Sequence, residues 1–341
     1  MRTGNVSANS GSSPACCSVR VAVLLATYNG AKYLDEQIRS LTQNRARFTL
    51  HWIDDHSTDG SRDIVRAAAR RLNVPLREWN QPTRLGVPNV FFRLMESADA
   101  DIYLFCDQDD IWQTGKIDAA VANLAPDVTH PVLCFSELLL FRNNLPSKCY
   151  RFSQVFRARP EAALEESRSF MSGFVSGNTQ AFTRSLRDIF ISHKEIACAH
   201  ALMHDLWMYL IAMAAGAVRI LHGAPTTLYR IHENNASGAF TGWAGTGAGH
   251  FVVSRSQWQL VRRGLSRWAQ GFILASTTLP CGPKLEQLLR LARLVSTFEQ
   301  RQSVASLVRL ALMGALWPDK RLAFSFAMTC LLTDAAPTAR P

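Results

Sequence analysis

Three of the four consecutive residues Asp107-Gln108-Asp109-Asp110 are carboxylates. Side chains that close repel one another unless a cation neutralises them. A hard divalent ion, Mg²⁺ or Mn²⁺, takes carboxylate and phosphate oxygens, keeps several waters and needs only one or two protein ligands. A D-x-D turn that shares its ion with a diphosphate meets that requirement. Two more polar loops stand upstream, Ala26-Thr27-Tyr28-Asn29-Gly30 and Asp54-Asp55-His56-Ser57-Thr58-Asp59-Gly60. Taken singly, each reads as an ordinary strand-to-helix turn with capping side chains. Three in succession, each closing an apolar run, point to one shared rim.

Those apolar runs set the expected scaffold. Val19–Leu25 is nearly all apolar, as in a strand buried on both faces. Leu34, Ile38 and Leu41 recur at helical spacing, and Ile64, Val65, Ala68 and Leu72 do so after a second strand, Phe48–Ile53. A third strand near Leu76–Trp79, a helix over Val90–Ala98 and a fourth strand, Ile102–Cys106, complete the series. Alternating strands and helices predict a mostly parallel sheet with helices on both faces. Ligands of such sheets lie beyond the carboxyl ends of the strands, where the three loops fall.

The 341 residues are 48% hydrophobic and 19% charged, which excludes a disordered chain and supports a large core. Eight scattered cysteines without a C-x-x-C pair exclude a disulfide scaffold. Residues 1–18 read as a loose tail: no apolar segment follows Arg2 as a signal peptide requires, and Cys16–Cys17 read as reduced thiols. The net charge of +10 favours an anionic partner, and most of the excess lies beyond residue 240. There Trp258, Val261, Leu265, Trp268 and Phe272 form one stripe, with Arg262, Arg263 and Arg267 largely away from it. Two readings fit this stripe: an amphipathic helix at a membrane surface, or one packed on the preceding domain. Val304–Trp317 and Leu322–Leu332 are apolar but too short to cross a bilayer core of about 30 Å. Peripheral contact with an anionic leaflet is therefore the expectation.

The wording and order of the loops resemble glycosyltransferase family 2, the inverting GT-A enzymes, and within it rhamnosyltransferase-like bacterial members. The residues that carry the resemblance are Val21–Gly30, Trp52–Ser61, Arg84–Phe92, Tyr103–Ile117, Ser176–Phe182, His204–Tyr209 and Tyr229–Gly238. The resemblance implies a GT-A catalytic domain over 19–240, followed by a basic helical region over 241–341. It implies a nucleoside-diphosphate sugar donor, by likeness dTDP-L-rhamnose. The acceptor would be a glycan or lipid-linked glycan at the cytoplasmic face of a bacterial plasma membrane, in surface-polysaccharide synthesis.

Roles follow by the same resemblance. Thr27 and Tyr28 would line the base and ribose, and Asp55 would accept from the pyrimidine N–H, with Asp54 orienting the loop. Asp109 would bind the metal and Asp107 the ribose or a metal-bound water, while Asp110 would sit at a helix N-terminus. Asp205 would be the general base that takes the acceptor hydroxyl's proton. Gly177 and Asn178 would underlie donor and acceptor, with Trp112 also on the substrate side. His232 would meet the metal or diphosphate, and Arg230 the diphosphate. His204 reads as structural and Arg84 as solvated surface. Two departures stand out: Gln113-Thr114-Gly115 where relatives commonly have proline, and His56 where they have a small residue.

A haloacid-dehalogenase-like phosphatase also carries a D-x-D loop after a strand, but after the first strand and followed by Thr or Val. A non-enzymatic protein that binds anionic surfaces through the basic tail is the other rival. No nucleic-acid motif is present, so no nucleic-acid partner is expected.

Overall fold

The computed structural model describes residues 19–142, 149–155, 159–164, 175–223, 226–232 and 255–296. The expectations for the tail 1–18 and for the apolar stretches beyond residue 300 lie outside the described residues. Strands are β1 Val21–Thr27, β2 Thr49–Asp54, β3 Leu76–Glu78, β4 Ile102–Cys106, β5 Ile111–Trp112, β6 Val132–Ser136, β7 Leu138–Arg142, β8 Cys149–Arg151, β9 Gln180–Thr183, β10 Ala217–Leu221 and β11 Thr227–Ile231. Helices are α1 Leu34–Leu41, α2 Ser61–Arg71, α3 Asn89–Ser97, α4 Lys116–Leu124, α5 Phe152–Val155, α6 Arg184–Ser192, α7 Lys194–His200, α8 His204–Ala215, α9 Arg255–Ala275 and α10 Leu285–Ser296.

The main sheet runs β10-β6-β9-β4-β1-β2-β3. Its strands are parallel except β9, which lies antiparallel between β6 and β4. Alternation along β1 shows why the run is apolar throughout. Val21, Val23 and Leu25 face Leu34, Ile38 and Val65 of α1 and α2, whereas Ala22 and Leu24 face the Phe91 and Trp207 side. A strand buried on both faces has no polar positions to offer. β1 extends to Thr27, two residues past the expected end, because Thr27 pairs with Asp54 of β2. The antiparallel insertion of β9 was not expected, since nothing in a short strand's pattern fixes its direction.

A second, four-stranded sheet, β5-β11-β7-β8, stands over the end of β4. It brings the loop after β4 and the end of β11 together, though more than a hundred residues separate them. This sheet, too, has no signature in the sequence: β5 is only two residues long.

Of the two readings for the C-terminal stripe, packing holds for its described part. Leu265, Trp268 and Phe272 of α9 are buried in the cluster that holds Trp207 and Leu210 of α8, and α10 adds Leu288 and Ala292. Full burial of a side chain such as Phe272 stabilises by about 1.5–3 kcal/mol. Close backbone approach is required at Gly264 and Gly271, where a Cβ would collide with Leu202 and His200 respectively. Arg267 faces outward, and the side chains of Trp258 and Val261 lie outside the described residues. No helix among the described residues is long and apolar enough to cross a membrane.

Candidate active site

The first loop opens as β1 ends. Thr27 is buried, donating to Asp54 Oδ1 at 2.9 Å and accepting from Trp52 Nε1 at 3.0 Å. Its hydroxyl is thus enclosed between strands and not aimed at the rim, which corrects the expectation that it lines the base. Tyr28 does reach the rim: its ring is exposed, and the Arg84 guanidinium stands 3.6 Å above its centroid. Its backbone is held by Gln108, whose amide oxygen accepts from Tyr28 N at 2.9 Å and whose Nε2 donates back at 3.1 Å. A Cβ on Gly30 would collide with that same amide, so glycine is what lets the first and third loops touch.

The two aspartates after β2 divide their work. Asp54 accepts from Thr27, from the Ser57 hydroxyl at 2.6 Å and from Ser57 N at 3.0 Å, so it orients the loop. Asp55 is buried and accepts from Gln81 Nε2 at 2.6 Å, Leu85 N at 2.7 Å and Gly86 N at 2.8 Å, with Arg84 Nε at 3.8 Å. A carboxylate has about four acceptor sites. Three of these sites are filled by Gln81, Leu85 and Gly86, which leaves one for a nucleobase N–H. Arg84 is exposed, as read, and also bridges Asp55 and Tyr28. His56 takes a left-handed φ of 65° and is exposed.

The third loop carries the acids. Asp109 Oδ2 lies 2.7 Å from His232 Nε2, and the His232 ring stacks on Tyr33 at 5.0 Å. Asp107 is held well above the ordinary carboxylate range, first by burial and then by the carboxylates of Asp110, Asp109 and Asp205. Asp109 and Asp205, 96 positions apart by their numbers, therefore lie within electrostatic reach of one point. Asp110 does not head a helix, contrary to expectation. It precedes β5, is wholly buried, and accepts from Asn178 Nδ2 and from Arg230 N at 3.2 Å. Burial, aided by Asp109, pushes it up to about 7.

Three expected substrate contacts turn out to be interior. Trp112 is 1% exposed, with its N–H on Ser40 Oγ and its ring beneath Lys116. Asn178 is 0% exposed, its amide on Asp110 and its carbonyl on Lys116 and Thr227. Arg230 is 2% exposed, its Nε on the Asp109 carbonyl and its terminal nitrogen on Glu36. All three shape the rim from below, because their side chains are buried beneath it.

Gly177 opens a 3-10 turn, and its N–H donates to Asp205 Oδ2 at 2.9 Å. Asp205 also accepts from Leu206 N at 2.7 Å, in the first turn of α8, where the helix dipole favours a negative charge. A Cβ at position 177 would meet His204 Nε2 at 2.8 Å. His204 stacks on Phe91 at 3.9 Å, neither of its ring nitrogens has a partner among the described residues, and burial pushes it down to about 4. It belongs to the core, as read.

Sequence reasoning missed Lys116. Its Nζ is buried, bonded to the Asn178 carbonyl and at 2.6 Å to Thr227 Oγ1, and burial pushes it down to about 7. A signal was present. A lysine in the first turn of a helix opposes the dipole and needs a reason, and Gly115, at φ 82°, turns the chain into that helix just before it.

The donor set suits a divalent ion. No three His, Cys, Asp or Glu side chains among the described residues form a metal cage. An ion shared with a diphosphate needs only one or two protein ligands, however, and Asp109 with His232 offers one oxygen and one nitrogen. The mutually repelling carboxylates around Asp107 are what a cation there would relieve.

With this geometry in view, comparison with known proteins is decisive. Residues 22–164 match Glycosyl transferase family 2. Residues 22–164 are thus a family 2 glycosyltransferase domain. Over 229 residues the glycosyltransferase is 27% identical to dTDP-rhamnosyl transferase RfbG of Shigella flexneri, covering 63% of this chain and 74% of the relative. Its fold is GT-A. It matches S. aureus TarS 1-349 in complex with UDP-GlcNAc at TM-score 0.53 and 14% identity, over 94% of this chain and 93% of that one. It matches the mannosyltransferase PcManGT from Pyrobaculum calidifontis, in complex with GDP-Man and Mn²⁺, at TM-score 0.50 and 18% identity, over 94% and 81%. The glycosyltransferase fold disposes of the phosphatase reading, because the D-x-D loop follows β4 and not β1.

Proposed function

We propose that the protein transfers L-rhamnose from dTDP-L-rhamnose, with inversion, to a glycan or lipid-linked glycan acceptor in bacterial surface-polysaccharide synthesis. The observation that carries the reading is the convergence of Asp109, His232 and Asp205 around Asp107 at one end of the sheet. The likeness to RfbG supports the donor.

In this reading Asp109 and His232 hold Mg²⁺ or Mn²⁺, which when bound offsets charge developing on the departing diphosphate. Tyr28 offers its face to the nucleobase, and Arg84 yields that face as the base arrives. Asp55 keeps the 81–86 loop in place and accepts from the pyrimidine N–H at its remaining site. Asp107, nearest the other acids, takes the ribose hydroxyls. Asp205 accepts the acceptor hydroxyl's proton, and the Gly177 N–H aims its carboxylate. The sugar carbon is then attacked from the face opposite the leaving group. Outward-facing Arg267, Arg290 and Arg293 supply charge for contact with an anionic membrane on the cytoplasmic side.

Titration calorimetry with dTDP, UDP and GDP, each with and without Mn²⁺, tests the nucleotide and metal. Incubation with dTDP-L-rhamnose and a pool of lipid-linked acceptors tests transfer. Tight, Mn²⁺-dependent dTDP binding and rhamnosylated lipid are expected. Preference for another nucleotide would overturn the donor, and metal-independent binding would overturn the cation.

A further inference from the structure

Five buried polar residues close into a ring beneath the rim, through side chains and backbone together. Lys116 Nζ donates to the Asn178 carbonyl and, at 2.6 Å, to Thr227 Oγ1, which itself donates to that carbonyl at 2.9 Å. The Asn178 amide donates to Asp110 Oδ2, and Asp110 Oδ1 accepts from Arg230 N at 3.2 Å. Arg230 is three residues along β11 from Thr227, which closes the circuit. Exposure is 0% at Asp110, Asn178 and Thr227 and 2% at Lys116 and Arg230, so no solvent competes for these bonds.

Three of the five members adjoin a group at the rim. Asp110 follows Asp109. Asn178 follows Gly177, whose N–H holds Asp205. Arg230 is two residues before His232 and also holds the Asp109 carbonyl at 2.8 Å. The ammonium bonds the Asn178 segment and β11 through one atom, because it has three donors in a tetrahedral array. Its remaining direction is covered by the Trp112 ring at 4.0 Å from centroid to Nζ.

We infer that Lys116 is a positioning residue that sets the Asp109–His232 pair in register with Asp205, through Asn178 and Thr227, without touching substrate. The roles of those three groups rest on the proposed function. Their spatial register does not.

The test compares Lys116→Met, Asp205→Asn and the double variant with wild type. Amide exchange by NMR reads the register directly. Gly177 and Arg230 should exchange at least about tenfold faster in Lys116→Met, while amides of β1 and β4 keep their protection. In the transfer assay kcat should fall about 100-fold, with donor KM within about threefold, as expected of displaced but intact groups. In the Asp205→Asn background the same change should cost little more, because the two act as a unit. Wild-type exchange at Gly177 and Arg230, equal acceleration across the whole sheet, or fully additive kinetics would each overturn the inference. If Lys116→Met does not fold, Thr227→Val is read the same way: unchanged exchange at Gly177 refutes and selective acceleration supports. Should wild type transfer no sugar, the proposed function fails while the exchange experiment still decides this inference.

Discussion

His232 Nε2 lies 2.7 Å from Asp109 Oδ2, joining the residue after β11 to the loop after β4 across 123 positions of sequence. The small second sheet makes this meeting possible: Thr227 pairs with Trp112 and Leu228 with Ile111, which draws the end of β11 over the acidic loop. An oxygen and a nitrogen held side by side at a carboxylate-rich rim form the centre of the proposed chemistry.

Replacing Asp109 by asparagine keeps its shape and removes its charge. Cation stabilisation is worth several kcal/mol, so transfer should fall by about two decades or more, at about 1.4 kcal/mol per decade. Calorimetry should show Mn²⁺-dependent nucleotide binding lost as well. Near-normal kinetics would remove Asp109 from the ion.

Asp205→Asn should behave differently. Donor binding survives, while transfer drops by about 10²–10⁴, the usual worth of a positioned general base. Steady-state kinetics with saturating donor separates the two outcomes, and a fully active variant would end the base assignment.

Two buried imidazoles, those of His51 and His204, make stability depend on pH. Burial pushes each down to about 4 from an ordinary 6.5. Unfolded chain binds protons that the folded chain refuses, so their contribution is full above pH 6.5 and is lost as pH falls through 4. The slope is about 1.4 kcal/mol per pH unit for each group. Asp107 and Asp110, raised when folded, act in the opposite sense, so the variant His204→Phe is the cleaner comparison. Its urea midpoint should lose less than that of wild type between pH 7 and pH 5. Parallel curves would contradict the burial argument.

At His56 the backbone sits at φ 65°, where a side chain costs about 1–2 kcal/mol. His56→Gly should raise unfolding free energy by about 1 kcal/mol in a denaturant titration. An unchanged or lowered midpoint would mean that the exposed imidazole has contacts of its own.

Trp268 decides between the two readings of the C-terminal stripe at the level of energy. Trp268→Ala should cost about 3–5 kcal/mol of stability, as large-to-small changes in a packed core do. A membrane-facing tryptophan would lower vesicle binding and leave the melting temperature alone.

The β1–β4 part of the main sheet was legible because its strands are largely apolar and separated by amphipathic helices. Ile102–Cys106 was read to the residue, and the stripe of Leu34, Ile38 and Leu41 falls within α1. The rim was legible too, since acidic loops after successive strands can face only one way. What failed was the direction of individual side chains. Trp112, Asn178 and Arg230 were assigned outward because their motifs suggested contact, yet each is turned inward by partners on distant segments. Lys116 shows the converse. Its role depends on Asn178 and Thr227, sixty-two and 111 residues away, and no local pattern encodes such a meeting.

The last two described helices, α9 and α10, share one interior with α8. Severing the chain after residue 240 would lay bare a greasy flank spanning Leu202, Trp207 and Leu210. A shortened protein of that kind would clump before its sugar chemistry could be assayed, so any trimming for expression should preserve α9 and α10 together.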